Sequence, residues 1–371
     1  MPPDQNITVD VAVIGAGLTG LTCAQHLQQM GYQVVVLEKS RGLGGRVATR
    51  RLPNAWADHG LAYFTQQGTQ TAALVQLWRD RGILHPWINQ DFVWADGILH
   101  PGEVSVQRYV SPVGITAIAK ALAAELEVWR GQRVAAIAPT DNHTWAFTLE
   151  PVAGERVRGL TARSVVVTAP APQAAALLDP LQSQGVPPEF FSAVQSVTYQ
   201  ANLTAIALYP SARQVDLAQV PWRSVQLNHP QLAWVTVDSS KQPHPSQPIV
   251  VLHGSTSLSD QFLDAPDLEP AGQLLLDSAA NTLLPWLADP AVLQLHRWRY
   301  ALPRNPLPDA CLSTVSPLPL VCGGDWCGAT ATSTQPQITL PLSSPATISP
   351  IEQALTSGIA SAQAVHRLIK P

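Results

Sequence analysis

Val9-Asp10-Val11-Ala12-Val13-Ile14-Gly15-Ala16-Gly17-Leu18-Thr19-Gly20 is the stretch that decides the fold. The β-branched run from Val9 to Ile14 ends at glycines, as a buried parallel strand does. Gly15 permits a tight turn, Gly17 lets a pyrophosphate approach the backbone, and Gly20 allows close helix–strand packing. Ala16, Leu18 and Thr19 complete this binding turn. Leu18 to Met30 then predicts a helix stopped by Gly31, whose N-terminus offers free N–H groups and a partial positive charge to phosphate. Gln33 to Leu37 is a second apolar strand. Glu38 ends it, 18 residues after Gly20, placed to accept hydrogen bonds from ribose hydroxyls. Together these pieces make a complete βαβ nucleotide-binding unit.

A second glycine loop follows at once, Glu38-Lys39-Ser40-Arg41-Gly42-Leu43-Gly44-Gly45-Arg46. Gly44 and Gly45 let a cofactor lie close to the backbone, and Arg46 can meet phosphate oxygens in a two-pronged fork. Plain nicotinamide dehydrogenases do not need this loop. Its place directly after the ribose acid shifts the expected ligand from NAD to FAD, held non-covalently.

Composition bounds the rest. With 46% hydrophobic and 13% charged residues over 371 positions, the chain suits a compact enzyme of about two domains. A net charge of −4 gives no basic footprint for nucleic acid. No run of about 18 apolar residues predicts a membrane span, and the first ten residues lack the basic start of a signal peptide. Cys23, Cys311, Cys322 and Cys327 are too few and scattered for a disulfide scaffold, so a cytoplasmic setting is expected. Cys322 and Cys327 read as buried structural thiols, because only one GxGxxG is present and disulfide reductases need two dinucleotide folds.

Further along, Arg163–Ala169 is another buried-strand candidate. Leu318–Cys322 is a third, with Pro319 confining it to its last residues. Ile351–Ile369 predicts a terminal helix. Alternating runs at Ala201–Tyr209, Ala233–Val237 and Pro248–Leu252 predict an antiparallel, partly solvated sheet. The expected fold is α/β: a doubly wound Rossmann-type FAD domain with an inserted antiparallel-sheet substrate domain. Residues 1–75, 109–180 and 305–371 are assigned to the first, and 76–108 and 181–304 to the second. The uncharged stretch 328–350 predicts a long surface loop, a candidate active-site lid.

The RxxGGR loop after a Glu resembles the flavin amine oxidase superfamily, and further segments are similar to its renalase branch. Asp58-His59-Gly60-Leu61-Ala62-Tyr63-Phe64-Thr65 resembles a DxGAQYxT segment, with Ala62 where the family carries Gln. Val110-Ser111-Pro112-Val113-Gly114-Ile115 resembles the turn before a helix. Arg133–Ile137 resembles the strand in which the Val134 backbone meets adenine. His296-Arg297-Trp298-Arg299-Tyr300-Ala301 and Cys322-Gly323-Gly324-Asp325-Trp326-Cys327 are the most specific matches. The resemblance implies FAD contacts at Gly60, Leu61, Ala62, Val134 and Gly324, and puts Asp325 near the ribityl–pyrophosphate junction. Read alone, Asp325 in its Gly-rich turn is placed to accept hydrogen bonds from ribityl hydroxyls, with a helix N-cap as the alternative.

His296, Trp298 and Tyr300 alternate along one strand and share a face. Trp298 and Tyr300 are the expected walls of a slot for a flat ring, although such aromatics also serve as plain core. His253, at the end of an apolar run, is either a second pocket residue or a structural one. No GxSxG, HExxH or paired CxxC occurs, so hydrolase and zinc chemistry have no motif, and no metal is expected. The resemblance implies oxidation of 2- or 6-dihydro isomers of NAD(P)H, with O2 reduced to hydrogen peroxide. Two alternatives stay open: an amine oxidase or desaturase, and a non-catalytic FAD-binding sensor.

Overall fold

The computed structural model describes residues 7–87, 91–102, 107–151, 159–328 and 349–370. The opening unit is β1 (Ile7–Ile14), α1 (Leu18–Gln29) and β2 (Val34–Glu38). Around it a parallel core forms in the order 127–130, β2, β1, 160–167, 320–322. Strict alternation explains why it is covered on both faces. Val11, Val13, Val36, Val166 and Val321 point to one cluster with α1 and the C-terminal helix Pro350–Ile369. Ala12, Ile14, Val35, Leu37, Val165, Val167 and Leu320 point to another, under strands 132–151 and helices Ala171–Leu178 and Pro188–Ser196. The run Leu318–Cys322 narrows to Leu320–Cys322, after Pro319.

Two contacts fasten the C-terminal helix. A Cβ on Gly358 would stand 2.6 Å from the Thr19 carbonyl oxygen, so this helix crosses α1 at backbone contact. Glu352 accepts from the N–H groups of Gln70 and Thr71 at 2.9 and 2.7 Å, satisfying the first turn of helix Thr69–Asp80.

The second sheet has seven strands, in the order 292–303, 199–208, 249–254, 232–237, 224–227, 91–95, 98–101. It is antiparallel except where 224–227 runs parallel to 91–95. Ala205, Ala207, Val235, Val250 and Leu252 face helix Glu269–Thr282. On the other face Ile206, Leu208, Ile249 and Val251 meet Leu52 and Ala57 of the hairpin Thr49–Asp58. That face turns toward the nucleotide unit. No helix of the described residues is long and apolar enough to cross a membrane. The candidate lid falls almost wholly on residues 329–348, outside the described residues.

Candidate active site

The glycines of the first turn divide into packing positions and one open position. Gly15 takes φ +107°, and its N–H donates to the Leu37 carbonyl at 2.8 Å. A Cβ there would stand 2.8 Å from Thr168 Oγ1, and one on Gly20 would stand 2.0 Å from the Gly15 oxygen. Thr168 Oγ1 donates to the carbonyls of Ile14 and Gly15 at 2.9 and 3.2 Å, clamping the turn. Gly17 differs, for a Cβ there would meet nothing within 4 Å. The second loop runs beside this opening: the Gly44 N–H donates to the Ala16 carbonyl at 2.8 Å, and Gly17 and Gly44 form a parallel bridge. Gly45 adopts φ +58° beside Gly17. A pyrophosphate fits this cradle, with the N-terminus of α1 (Leu18, Thr19) facing it.

Glu38 ties the two loops together. Its Oε2 accepts from the Ala16 N–H at 2.9 Å and its Oε1 from the Ser40 N–H at 2.7 Å. Each oxygen keeps a lone pair for a ribose hydroxyl. Val134 lies on the strand Gln132–Pro139, at a register shift opposite Leu149, and the Gly131 N–H just before that strand donates to the Ser40 carbonyl at 3.2 Å. Lys39 points outward, to Gln173 Oε1 at 3.3 Å.

Arg46 departs from the sequence expectation of a guanidinium given over to phosphate. Nη1 and Nη2 donate to Asp325 at 2.6 and 2.7 Å, and Nη1 also reaches the Ala301 carbonyl at 2.9 Å. Burial alone would lower its pKa, and the Asp325 carboxylate holds it raised instead. The turn bearing Asp325 is fixed by Gly324, whose N–H donates to Ser357 Oγ at 2.9 Å. Both residues stand beside the cradle, joined to each other, which leaves the Nε edge of Arg46 for a phosphate. Cys322 and Cys327 are buried free thiols whose pKa values burial pushes up, in keeping with a structural role.

The loop Gly60-Leu61-Ala62 passes between this cradle and the second sheet. The Leu61 N–H donates to the Arg46 carbonyl at 2.9 Å, and a Cβ on Gly60 would stand 2.1 Å from that oxygen. Trp298 buttresses the loop from the sheet side, with Nε1 donating to the His59 carbonyl at 3.0 Å. Its ring lies 4.2 Å from His296 and 5.2 Å from His59. Tyr300 instead packs edge-on against Tyr199 at 5.5 Å. The three alternating residues thus share a face but meet different neighbours. His253 is buried in the same sheet row, with Nδ1 at 3.0 Å from Asn202 Oδ1 and 3.2 Å from Thr204 Oγ1. Burial, with Lys241 nearby, lowers its pKa to about 4. Burial and the neighbouring His296, Arg50 and His253 lower that of His59 to about 3.

Two buried charge groups escaped sequence reasoning. Lys241 is sealed between Asp58 and Asp238. Burial raises the pKa of Asp58 to about 6, against the pull of Lys241. Lys241 itself stays raised, because the two carboxylates outweigh its burial. Arg108 pairs with Asp91 at 2.5 Å and donates to Ser224 Oγ at 3.0 Å, with its guanidinium 4.1 Å from the Tyr63 ring. Lys241 stands alone in a Ser- and Pro-rich loop and reads as solvated surface. Asp58, His59 and Tyr63 had a signal, lying inside the Asp58–Thr65 segment.

Comparison with known proteins agrees with this geometry. A family model for an NAD(P)-binding Rossmann-like domain matches residues 13–80, and one for flavin containing amine oxidoreductase matches residues 92–366. Curated relatives match over short stretches. Gamma-glutamylputrescine oxidoreductase of Escherichia coli is 52% identical over 46 residues, and a lysine-specific histone demethylase 1 homolog of Oryza sativa is 40% identical over 84. These stretches cover 12% and 22% of this chain and 11% of each relative's length. Among solved structures, putrescine oxidase bound to putrescine superposes with a TM-score of 0.68 at 14% identity, covering 97% of this chain and 99% of that one. Cyclohexylamine oxidase from Brevibacterium oxydans gives 0.65 at 14% identity, covering 98% and 100%. With a family model spanning most of its length and a cradle shaped for a dinucleotide, the chain belongs to the flavin-containing amine oxidoreductases and is an FAD-dependent oxidoreductase.

Proposed function

We propose that this chain is a renalase-like oxidase, taking 2- or 6-dihydro isomers of NAD(P)H to NAD(P)+ while O2 is reduced to hydrogen peroxide. The observation that carries the reading is the charge state around the Gly60 loop. Asp325 is paired with Arg46, Asp91 with Arg108, and Asp58 and Asp238 with Lys241. An alkylammonium ion would find no uncommitted carboxylate among these groups. A neutral dihydronicotinamide needs none. His59 and His253 are neutral at pH 7, because burial depresses both.

FAD, held at the Gly17–Gly44 cradle beside Glu38 and Arg46, would supply a hydride acceptor that O2 can reoxidise. The protein's own groups bind and orient. Trp298 fixes the Gly60 loop, the sheet row of His296, Thr204 and His253 forms the polar floor, and the buried pairs exclude water from it. The HRWRYA run from His296 to Ala301, similar to the renalase branch, adds support. A second reading, oxidation of an amine, is favoured by the likeness to putrescine and cyclohexylamine oxidases.

The test is anaerobic mixing of the FAD-loaded protein with a panel of dihydronicotinamide isomers and of primary and secondary amines. Bleaching of flavin absorbance by a 2- or 6-dihydro isomer alone is the expected result. Bleaching only by an amine would replace this reading with the second.

A further inference from the structure

We propose that Arg50, His59 and His296 form an anion subsite at the edge of the seven-stranded sheet, and that it takes the phosphate-bearing part of the substrate. The proposal rests on the nucleotide reading above for the identity of that substrate. The subsite itself rests on three side chains from two elements.

The hairpin places Arg50. Arg50 pairs with Ala57 and Leu52 with Ala55, so these four share a face. Leu52 and Ala57 pack onto Ile206, Leu208, Ile249 and Val251 of the sheet. Arg50 therefore leans the same way, one step closer to the Gly60 loop. It is exposed, and among the described residues it has no hydrogen bond or ion pair. Burial first, and the Arg50 charge as a lesser contribution, hold the pKa values of both imidazoles down.

The two histidines complete the group. His59 and His296 meet edge to face at 4.9 Å. His59 is 7% exposed, and its Nδ1 is sealed without a partner, which leaves Nε2 as the nitrogen able to meet a ligand. His296 lies on the edge strand, opposite Thr204, and its ring nitrogens hold no hydrogen bond among the described residues. One fixed cation, two neutral N–H donors and the adjoining Trp298 ring suit an anion attached to a planar base. They do not suit a cation, which Arg50 would repel. Nor does any group of three His, Cys, Asp or Glu among the described residues fit a metal ion. The place is distinct from the cofactor cradle at Gly17, and it adjoins Gly60, so a nucleotide ring at the flavin loop has its phosphates within reach.

The probe is ADP-ribose, which carries the diphosphate and cannot donate a hydride, titrated calorimetrically into FAD-loaded protein. Arg50→Gln changes an exposed residue and leaves the fold intact. Losing one charge-assisted contact should weaken ADP-ribose by about tenfold, and added salt should weaken the wild type more than the variant. In anaerobic reduction, the half-saturating concentration of a phosphorylated dihydronicotinamide should rise by a similar factor, and that of the phosphate-free riboside by less. Equal ADP-ribose affinity in wild type and Arg50→Gln, or no binding to the wild type, overturns the subsite. Should ADP-ribose binding depend on Arg50 while no dihydronicotinamide bleaches the flavin, the subsite stands and the substrate reading falls.

Discussion

The Arg46 guanidinium and the Asp325 carboxylate, 279 positions apart, meet fork to fork at 2.6 and 2.7 Å. The pair joins the second glycine loop to the last turn of the nucleotide unit, and the carboxylate is only 4% exposed. Arg46→Ala strands that carboxylate. The expected loss is on the order of 2 to 3 kcal/mol, below the fully buried case because Arg46 is itself about a third exposed. Melting temperature and FAD retained after dialysis should both fall. Arg46→Met combined with Asp325→Leu should recover melting temperature but not FAD. An unchanged melting temperature in the single variant would show that the pair is not coupled to the fold.

Gly17 and Gly20 should respond in opposite ways to alanine. The Gly20 position has backbone oxygen at 2.0 Å from a Cβ, so Gly20→Ala must displace the turn, and little soluble protein is expected. Gly17 has open space, so Gly17→Ala should fold with a melting temperature close to that of the wild-type apoprotein. Its FAD affinity should nevertheless drop by about tenfold or more, as the methyl group enters the phosphate cradle. Fluorescence titration with FAD checks this, and normal affinity would show that phosphate lies elsewhere.

Trp298→Phe removes one hydrogen bond to the His59 carbonyl and keeps most of the packing. About 1 kcal/mol of stability should be lost, with FAD content retained and flavin reduction slowed as the Gly60 loop loosens. Trp298→Ala leaves a cavity and should cost roughly 3 to 5 kcal/mol. Stopped-flow reduction and thermal melts on one preparation separate the two effects. A Trp298→Phe enzyme reducing at the wild-type rate would make the indole structural filler.

Lys241→Met should be among the most damaging single changes, because it opens a buried charge group. It leaves Asp58 and Asp238 facing each other with no cation, at a cost on the order of 3 to 5 kcal/mol. Adding Asp238→Asn to it should restore part of that loss. Chemical denaturation midpoints measure both, and equal midpoints for the single and double variants would show that the charges are not coupled.

Acid should unfold this protein through its buried imidazoles. An ordinary histidine titrates at 6.5, whereas folded His253 waits until about pH 4 and His59 until about pH 3. Between pH 6.5 and 4 the unfolded chain therefore binds protons that the folded chain refuses, and stability falls as pH falls. Asp58 acts in the opposite sense, because its folded pKa of about 6 lies above the ordinary 3.8. Two imidazoles outweigh one carboxylate, so melting temperature should decline from pH 6.5 to 4.5. His253→Gln should flatten that decline, and a parallel curve would remove His253 as its source.

Much of the nucleotide unit was legible because its chemistry is local. The turn from Gly15 to Gly20, the acid at Glu38 and the alternating valines of β1 and β2 announce themselves within forty residues. The inserted sheet was legible from period-two runs such as Ala201–Tyr209, which becomes strand Tyr199–Leu208, but the partly solvated face expected of them was not found: Ala201 to Leu208 are buried on both faces. The clamps were not. Thr168, Glu352 and Lys241 act on partners more than a hundred positions away, and nothing in their neighbours marks them. Arg46 illustrates the limit: its residue type foretold a two-pronged partner, and only the fold supplied Asp325.

The helix that crosses α1 at Gly358 and the turn that holds Asp325 come from the last portion of the chain, yet they brace the first. A growing polypeptide would expose the Gly15–Gly20 turn early, with Val11, Val13 and Leu21 uncovered, for as long as residues beyond 320 had not emerged. Cofactor capture therefore waits until the strand Leu320–Cys322 and helix Pro350–Ile369 have emerged. FAD supply at that moment would set the fraction of chains that mature, and a chain lacking helix Pro350–Ile369 would leave a greasy face where its nucleotide domain should close.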